Sequence, residues 1–313
     1  MKARKEGMKM KPKKTSKIVV MLLCAVFIIT NLSLTASADT GPKASVRILF
    51  ENMGDELCYG TLLSKYESTG PNSVWDGDED HIYNYNLDLE IWRAFVEYKD
   101  TDGYYFLQTG WKVSNTKEIA WTYYPPPSFK ILLYYPETET FAVSGIYEKY
   151  AFDTYYTVDM NGVNIGSVEY NEDLSTNERI DAYRSYNYMQ EILSLVARIV
   201  ITIAIEMAVA LLFGFRKKKQ LLVLASVNVI TQIILNLLLN VINYNSGPLD
   251  FVLYYILFEI FVFATEAVLY CTILKKVSEN PKKNWYYVLY ALVANAVSFG
   301  AGFIVAQMLP GIF

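Results

Sequence analysis

The chain has 313 residues, of which 53% are hydrophobic and 15% aromatic, with 28 Lys and Arg against 32 Asp and Glu. One histidine and three cysteines exclude a histidine-rich metal centre and a disulfide framework. The charge is also segregated: between Asp39 and Gln190 stand 25 acidic against 11 basic residues, an imbalance that argues against nucleic acid or anionic lipid as that segment's partner.

Met1 to Lys17 is strongly basic, Ile18 to Thr30 is apolar, and Ala36-Ser37-Ala38 offers a small-residue cleavage pattern. This predicts a signal peptide over residues 1–38 and an exported segment from Asp39 to Gln190. Cys24 lies within the apolar run, so only Cys58 and Cys271 remain after cleavage, and they are too far apart in the layout to pair. Export without disulfides suits a Gram-positive surface. Cys58 reads as a small buried hydrophobe.

The exported segment reads as mainly β. Ala44–Glu51 alternates apolar and polar residues, and Leu57–Ser64 follows as its expected hairpin partner. Further strands are expected at Tyr104–Val113, Ile119–Tyr124, Phe129–Tyr135, Thr140–Ile146 and Thr154–Met160. Leu87–Val96 instead places Ile91, Trp92, Phe95 and Val96 near one helical face. Pro125-Pro126-Pro127 forces an extended connection.

Four apolar stretches follow, about 191–215, 221–242, 251–274 and 285–308, each long enough to cross a bilayer core of about 30 Å. Arg216 to Lys219 and the Lys275, Lys276, Lys282 and Lys283 group mark two cytoplasmic loops, whereas Asn243–Asp250 has no basic residue. Trp285, Tyr286, Tyr287 and Tyr290 are expected as an interfacial aromatic belt. The fold class is therefore mixed: an exported, mainly-β, sandwich-like domain with one helix over 39–190, then a four-helix transmembrane bundle over 191–313.

Several blocks, among them ILFENMGDELCYGTLLSKYESTGPNSVWDG and FGFRKKKQLLVLASVNVITQIILNLLLN, resemble a group of multi-pass surface proteins of clostridial-type Gram-positive bacteria. The likeness implies surface localisation and the domain-plus-four-helices layout, and it implies no activity.

Candidate sites fall in both halves. Asp76, Asp78 and Asp80 have the alternate spacing of a calcium loop, although His81 stands where such a loop needs glycine and Leu87 where it needs glutamate. No HExxH, GxSxG or phosphate-loop spacing is present; a Cys58–His81 dyad or carboxylate-only glycosidase chemistry would be the enzymatic alternatives. Tyrosine pairs at 104/105, 123/124, 134/135 and 155/156 give one ring to each face of a strand and suit glycan or peptide binding. In the membrane half, Arg198, Glu206, Asn228, Gln232, Asn236, Glu259, Glu266 and Asn295 form a polar seam. Counted from the basic anchors, Glu206, Asn228 and Glu266 make an inner layer, and Arg198, Asn236 and Glu259 an outer one with an expected Arg198–Glu259 ion pair. The expected function is non-enzymatic: a membrane-anchored surface protein whose exported domain binds a glycan or peptide and relays to a membrane partner. The alternative is a small transporter or channel subunit that uses the seam and is capped by the exported domain.

Overall fold

The computed structural model describes residues 41–82, 87–161, 163 and 180–308. The leader expected over 1–38 lies outside the described residues.

The β-rich region contains two four-stranded sheets. In the first, β1 (Ser45–Glu51) sits between β5 (Glu118–Trp121), antiparallel to it, and β9 (Asp153–Asp159), parallel to it, while β10 (Ala182–Arg184) closes the far edge against β9. Val46, Ile48 and Phe50 alternate inwards and meet Ile119, Trp121, Tyr156 and Val158. The other face keeps the Arg47–Glu118 pair at 2.8 Å and an exposed Leu49. In the second sheet β6 (Ser128–Tyr135) is central, pairing with β2 (Tyr59–Ser64), β7 (Thr140–Val143) and the short β8 (Tyr147–Glu148). A small hairpin of β3 (Ser68–Thr69) and β4 (Asn72–Ser73) stands apart.

Why β6 takes the centre follows from its sequence, SFKILLYY, which is apolar on both faces. Phe129, Ile131, Leu133 and Tyr135 share a core with the first sheet. Leu132 and Tyr134 point the other way, under helix α1 (Leu89–Glu97), whose Ile91, Trp92 and Phe95 cover them. Lys130 lies on that second face with its side chain only 5% exposed; it bonds Asp100 at 2.9 Å and also contacts Asp102. Burial alone would lower the Lys130 pKa, and the Asp102 and Asp100 carboxylates more than reverse it, leaving it raised.

Three expectations for this region are corrected. First, β1 and β2 are not a hairpin but belong to different sheets. All six β2 residues are buried, so the strand needs cover on both faces, and the sheet of β1 leaves one face open. Second, Tyr104–Val113 is not a strand: its backbone pairs with β2 through isolated bridges at Tyr105 and Trp111, because Gln108 takes a left-handed conformation (φ 58°) and a single helical turn begins at Val113. Gly60 faces that segment, where an added Cβ would come within 2.9 Å of the side chains of Val113, Ile119 and Leu133. Third, the tyrosine pairs split unevenly. Tyr104 and Tyr156 are buried beside exposed Tyr105 and Tyr155, yet Tyr134 and Tyr135 are both buried because β6 is covered on both sides.

Beyond β10 the chain is helical: α2 (Tyr188–Leu212), α3 (Lys218–Ser246), α4 (Pro248–Leu269) and α5 (Asn284–Met308). The first three of these, α4 with its continuation to Val277, are long and apolar enough to cross a membrane. Their pattern is inverted relative to a water-soluble helix: Val200, Leu212, Ile230, Ile234, Phe261 and Val268 are exposed, whereas Arg198, Glu206, Asn228, Gln232, Asn236 and Glu266 are buried. Lipid on the outside and paired polar groups inside is the arrangement that such a distribution satisfies.

The expected aromatic belt is also corrected. Tyr287 and Tyr290 are wholly buried, packed with Phe213 and Phe215 in a core at the end of α2, and Tyr286 Oη donates to Phe213 O at 2.5 Å. Only Trp285 keeps a largely exposed ring. The backbone carbonyls of Phe213 and Glu206 accept from Tyr286 and Tyr290, and the Tyr287 hydroxyl accepts from Lys282 N, so hydrogen bonds hold these rings inward. A second unexpected feature is the π turn Tyr270–Leu274, one turn beyond Glu266.

Candidate functional site

The β domain and the helices meet through a tyrosine-rich joint. Phe152 N donates to Tyr244 O at 2.8 Å, and the Tyr186 ring lies 5.3 Å from Tyr244 and 6.0 Å from Tyr155. Gly247, between α3 and α4, adopts φ 86° and ψ −178°, and an added Cβ there would stand 2.6 Å from the Phe152 ring. Backbone of that kind is restricted to glycine, so the joint dictates the residue.

Beneath this joint lies a cavity of about 610 Å³. Asp153, Tyr155, Ser185 and Tyr186 of the β domain form its outer wall. Its inner wall runs down the helices through Ser194, Arg198 and Thr202 of α2, Gln232 and Asn236 of α3, Phe251 and Tyr255 of α4, and Gly302 of α5. The spacing of four on α2 and on α3 puts one polar side chain per turn on the same face, which is why the sequence periodicity exposed these residues. The volume falls within the range of small-molecule pockets, roughly 300–1,000 Å³.

Below the cavity the seam continues as a buried cluster from four helices. Glu266 accepts from Thr231 Oγ1 at 2.8 Å and from Asn295 Nδ2 at 2.7 Å. Ser298 Oγ bonds Glu206 at 3.3 Å and Asn295 O at 3.1 Å, linking the two glutamates through α5. Tyr270 Oη donates to Asn228 Oδ1 at 2.5 Å, and Tyr290 Oη to Glu206 O at 3.4 Å. Glu206, Asn228 and Glu266, expected as one layer, are thus brought together with Asn295, and Tyr270, Tyr290, Thr231 and Ser298 complete them. The tyrosines and hydroxyls were not singled out as site residues, although Tyr270 shares the helical face of Glu266.

The outer layer differs from expectation. Arg198 makes no ion pair with Glu259; its Nη2 donates to Asn240 Oδ1 at 2.6 Å and its guanidinium lies 5.8 Å from the centre of the Phe251 ring. Glu259 is half-buried beside Tyr255 and is not part of the cavity wall. Depth along two helices matched the pair, but rotation about the α4 axis directs the two charges differently. Asn240, one turn beyond Asn236, takes the place the sequence assigned to a carboxylate.

The acidic loop gathers no ligand set. Asp76 accepts from Asp78 N and bonds His81 Nδ1 at 2.8 Å, while Asp78 caps the 3-10 turn at Asp80 N, so these two carboxylates are engaged within their own loop. Among the described residues no group of three His, Cys, Asp or Glu side chains is placed to hold a metal. The hydrogen bond and charge of Asp76 raise the pKa of His81, and the hydrogen bonds from the Asp78 backbone N–H and from His81 lower that of Asp76. Cys58 is wholly buried, with its thiol pushed up to about 12 by burial, and has no role with the exposed His81. Trp92 and Trp121 are buried in the cores, with Trp75 and Trp111 packed against them.

Fold and site together define a β-rich domain joined to long apolar helices with a polar interior. Set beside known proteins, the chain matches no family model, no curated protein and no solved structure.

Proposed function

We propose that this is a multi-pass membrane protein that binds a small polar solute in the junction cavity, with the β domain as its outer cap. The supporting observation is the wall itself, in which four residues of the β domain and polar side chains of α2, α3 and α4, with Gly302 of α5, enclose one space. Solute sites near the middle of a bilayer are built this way, from facing helices lined with polar groups. In this reading α5 is a fourth span, the two sheets form a sandwich, and the loops at Arg216–Lys219 and Lys275–Lys283 are cytoplasmic. The β domain then stands outside a Gram-positive cell after removal of residues 1–38. The polar cluster around Glu206 and Glu266 continues the path inward, which favours a carrier over an anchor.

A panel of polar metabolites screened by thermal shift on the full-length protein in maltoside micelles tests the site. Binding lost on filling the cavity with Gly302→Leu or Ser194→Leu, and kept in the surface variants Tyr66→Ala and Tyr124→Ala, is the expected result. The reverse outcome would place the ligand on the β domain's outer surface, as a glycan or peptide site, and end the cavity reading.

A further inference from the structure

The groups that line the cavity are not evenly satisfied. Arg198 is 7% exposed, and among the described residues it forms no ion pair; its one side-chain hydrogen bond partner, Asn240, is neutral. Its Nε makes no hydrogen bond among the described residues. Two turns outward Glu191 lines the same cavity, but its Oε1 already accepts from Tyr186 Oη at 3.2 Å. Asp153, also on the wall, accepts from Ser45 Oγ at 2.5 Å. One turn from Asn236, Gln232 is 2% exposed; Asn236 Nδ2 donates to its Oε1, and its own Nε2 donates to nothing among the described residues.

The imbalance has a sign. Both unpartnered atoms on this wall, Arg198 Nε and Gln232 Nε2, are donors, and Arg198 forms no ion pair with either wall carboxylate, Glu191 or Asp153. A buried guanidinium with no ion-pair partner in contact is costly, and a planar oxyanion meets it through two parallel hydrogen bonds. The Phe251 ring centre lies 5.8 Å from the guanidinium, and Nη2 is engaged by Asn240, which leaves the Nε edge for such a contact.

We infer that the cavity takes a small solute bearing an oxyanion, a carboxylate or a phosphate, seated against Arg198 with Gln232 as a second donor. This rests on the cavity being a solute site and names the class of solute. The carboxylates of Glu191 and Asp153 stand at the outer end and are held by hydroxyls, so the solute's negative end points inward. A phospholipid headgroup offers the same phosphate chemistry, but the β-domain wall of Asp153, Tyr155, Ser185 and Tyr186 favours a soluble ligand.

Isothermal titration of the full-length protein in maltoside micelles with inorganic phosphate, succinate and glutamate, against glucose and choline as controls, tests the inference. At least one anion is expected to bind saturably, with Arg198→Gln weakening it about a hundredfold, since truncating one partner of a buried charge pair costs about 2–5 kcal/mol. Gln232→Glu keeps the arginine and supplies an internal counter-charge; it should abolish anion binding while raising thermal stability, a result that a merely structural arginine does not give. Anion binding unchanged in both variants, or absent from the wild type, overturns the inference. Binding of short-chain phosphatidylglycerol alone would replace the soluble anion with a lipid. A neutral solute whose binding survives Arg198→Gln leaves the cavity standing and removes the anion.

Discussion

Gly247→Ala probes the joint on which the cavity depends. The native backbone at φ 86° and ψ −178° is glycine-only territory, so alanine incurs about 1–3 kcal/mol of strain. Its Cβ would also lie 2.6 Å from Phe152 Cε1 and Cζ, where carbon contacts normally relax to about 3.5–4.0 Å. The ring must therefore retreat by about an ångström, straining the Phe152 N to Tyr244 O bond, an overpacking cost of about 1–3 kcal/mol. Equilibrium unfolding of the full chain in micelles should show a loss of about 2–6 kcal/mol. In a Phe152→Ala background the steric share disappears, and the same change should cost only the backbone share, so the double-mutant cycle carries a coupling of about 1–3 kcal/mol. Equal costs in both backgrounds, or a cost below about 0.5 kcal/mol in either, would mean that the β domain does not rest on the α3–α4 turn.

In the β domain, Asp100→Asn should cost about 3–5 kcal/mol, because it removes the buried partner of Lys130, while Asp102→Asn, more than half exposed, should cost under about 1 kcal/mol; chemical denaturation of both variants decides it. His81 is the chain's only histidine, so its NMR titration gives one resonance, with a midpoint above the ordinary histidine value that Asp76→Asn lowers. Because that pKa is raised on folding, the His81–Asp76 contact contributes stability below the ordinary histidine value and loses it as pH rises through the raised one; identical midpoints in the two proteins would refute it. Cys58, with its thiol pushed up to about 12, should stay unmodified by thiol reagents at pH 8 until the domain is unfolded.

The elements most legible in the sequence were those whose pattern is set by burial on one face. β1, β6, β9 and α1 fall within a few residues of their expected bounds, as do the long helices. Pairing was less legible, because partner choice depends on which faces are covered. The fully apolar β2 looked like a hairpin return, yet its need for two covered faces sent it to β6. The polar seam was visible as four-residue spacing, and the Glu206–Asn228–Glu266 layer follows from depth alone. Arg198 and Glu259 show the limit of that reasoning, since depth says nothing of rotation. The cavity had no local signal, because its outer wall comes from Asp153, Tyr155 and Tyr186, which became wall residues only through the parallel β1–β9 pairing and the joint at Tyr244.

The central claim, that a polar space within the spans opens beneath the β domain, is tested most directly by thiol accessibility in a cysteine-free background. A membrane-impermeant reagent added outside intact cells should label Thr202→Cys and Asn236→Cys, which line the cavity, and should leave Lys218→Cys untouched until the membrane is opened. Succinate or phosphate should protect the first two if the anion reading holds. Labelling of Thr202→Cys and Asn236→Cys only from the inner side, or of neither from any side, would contradict the account.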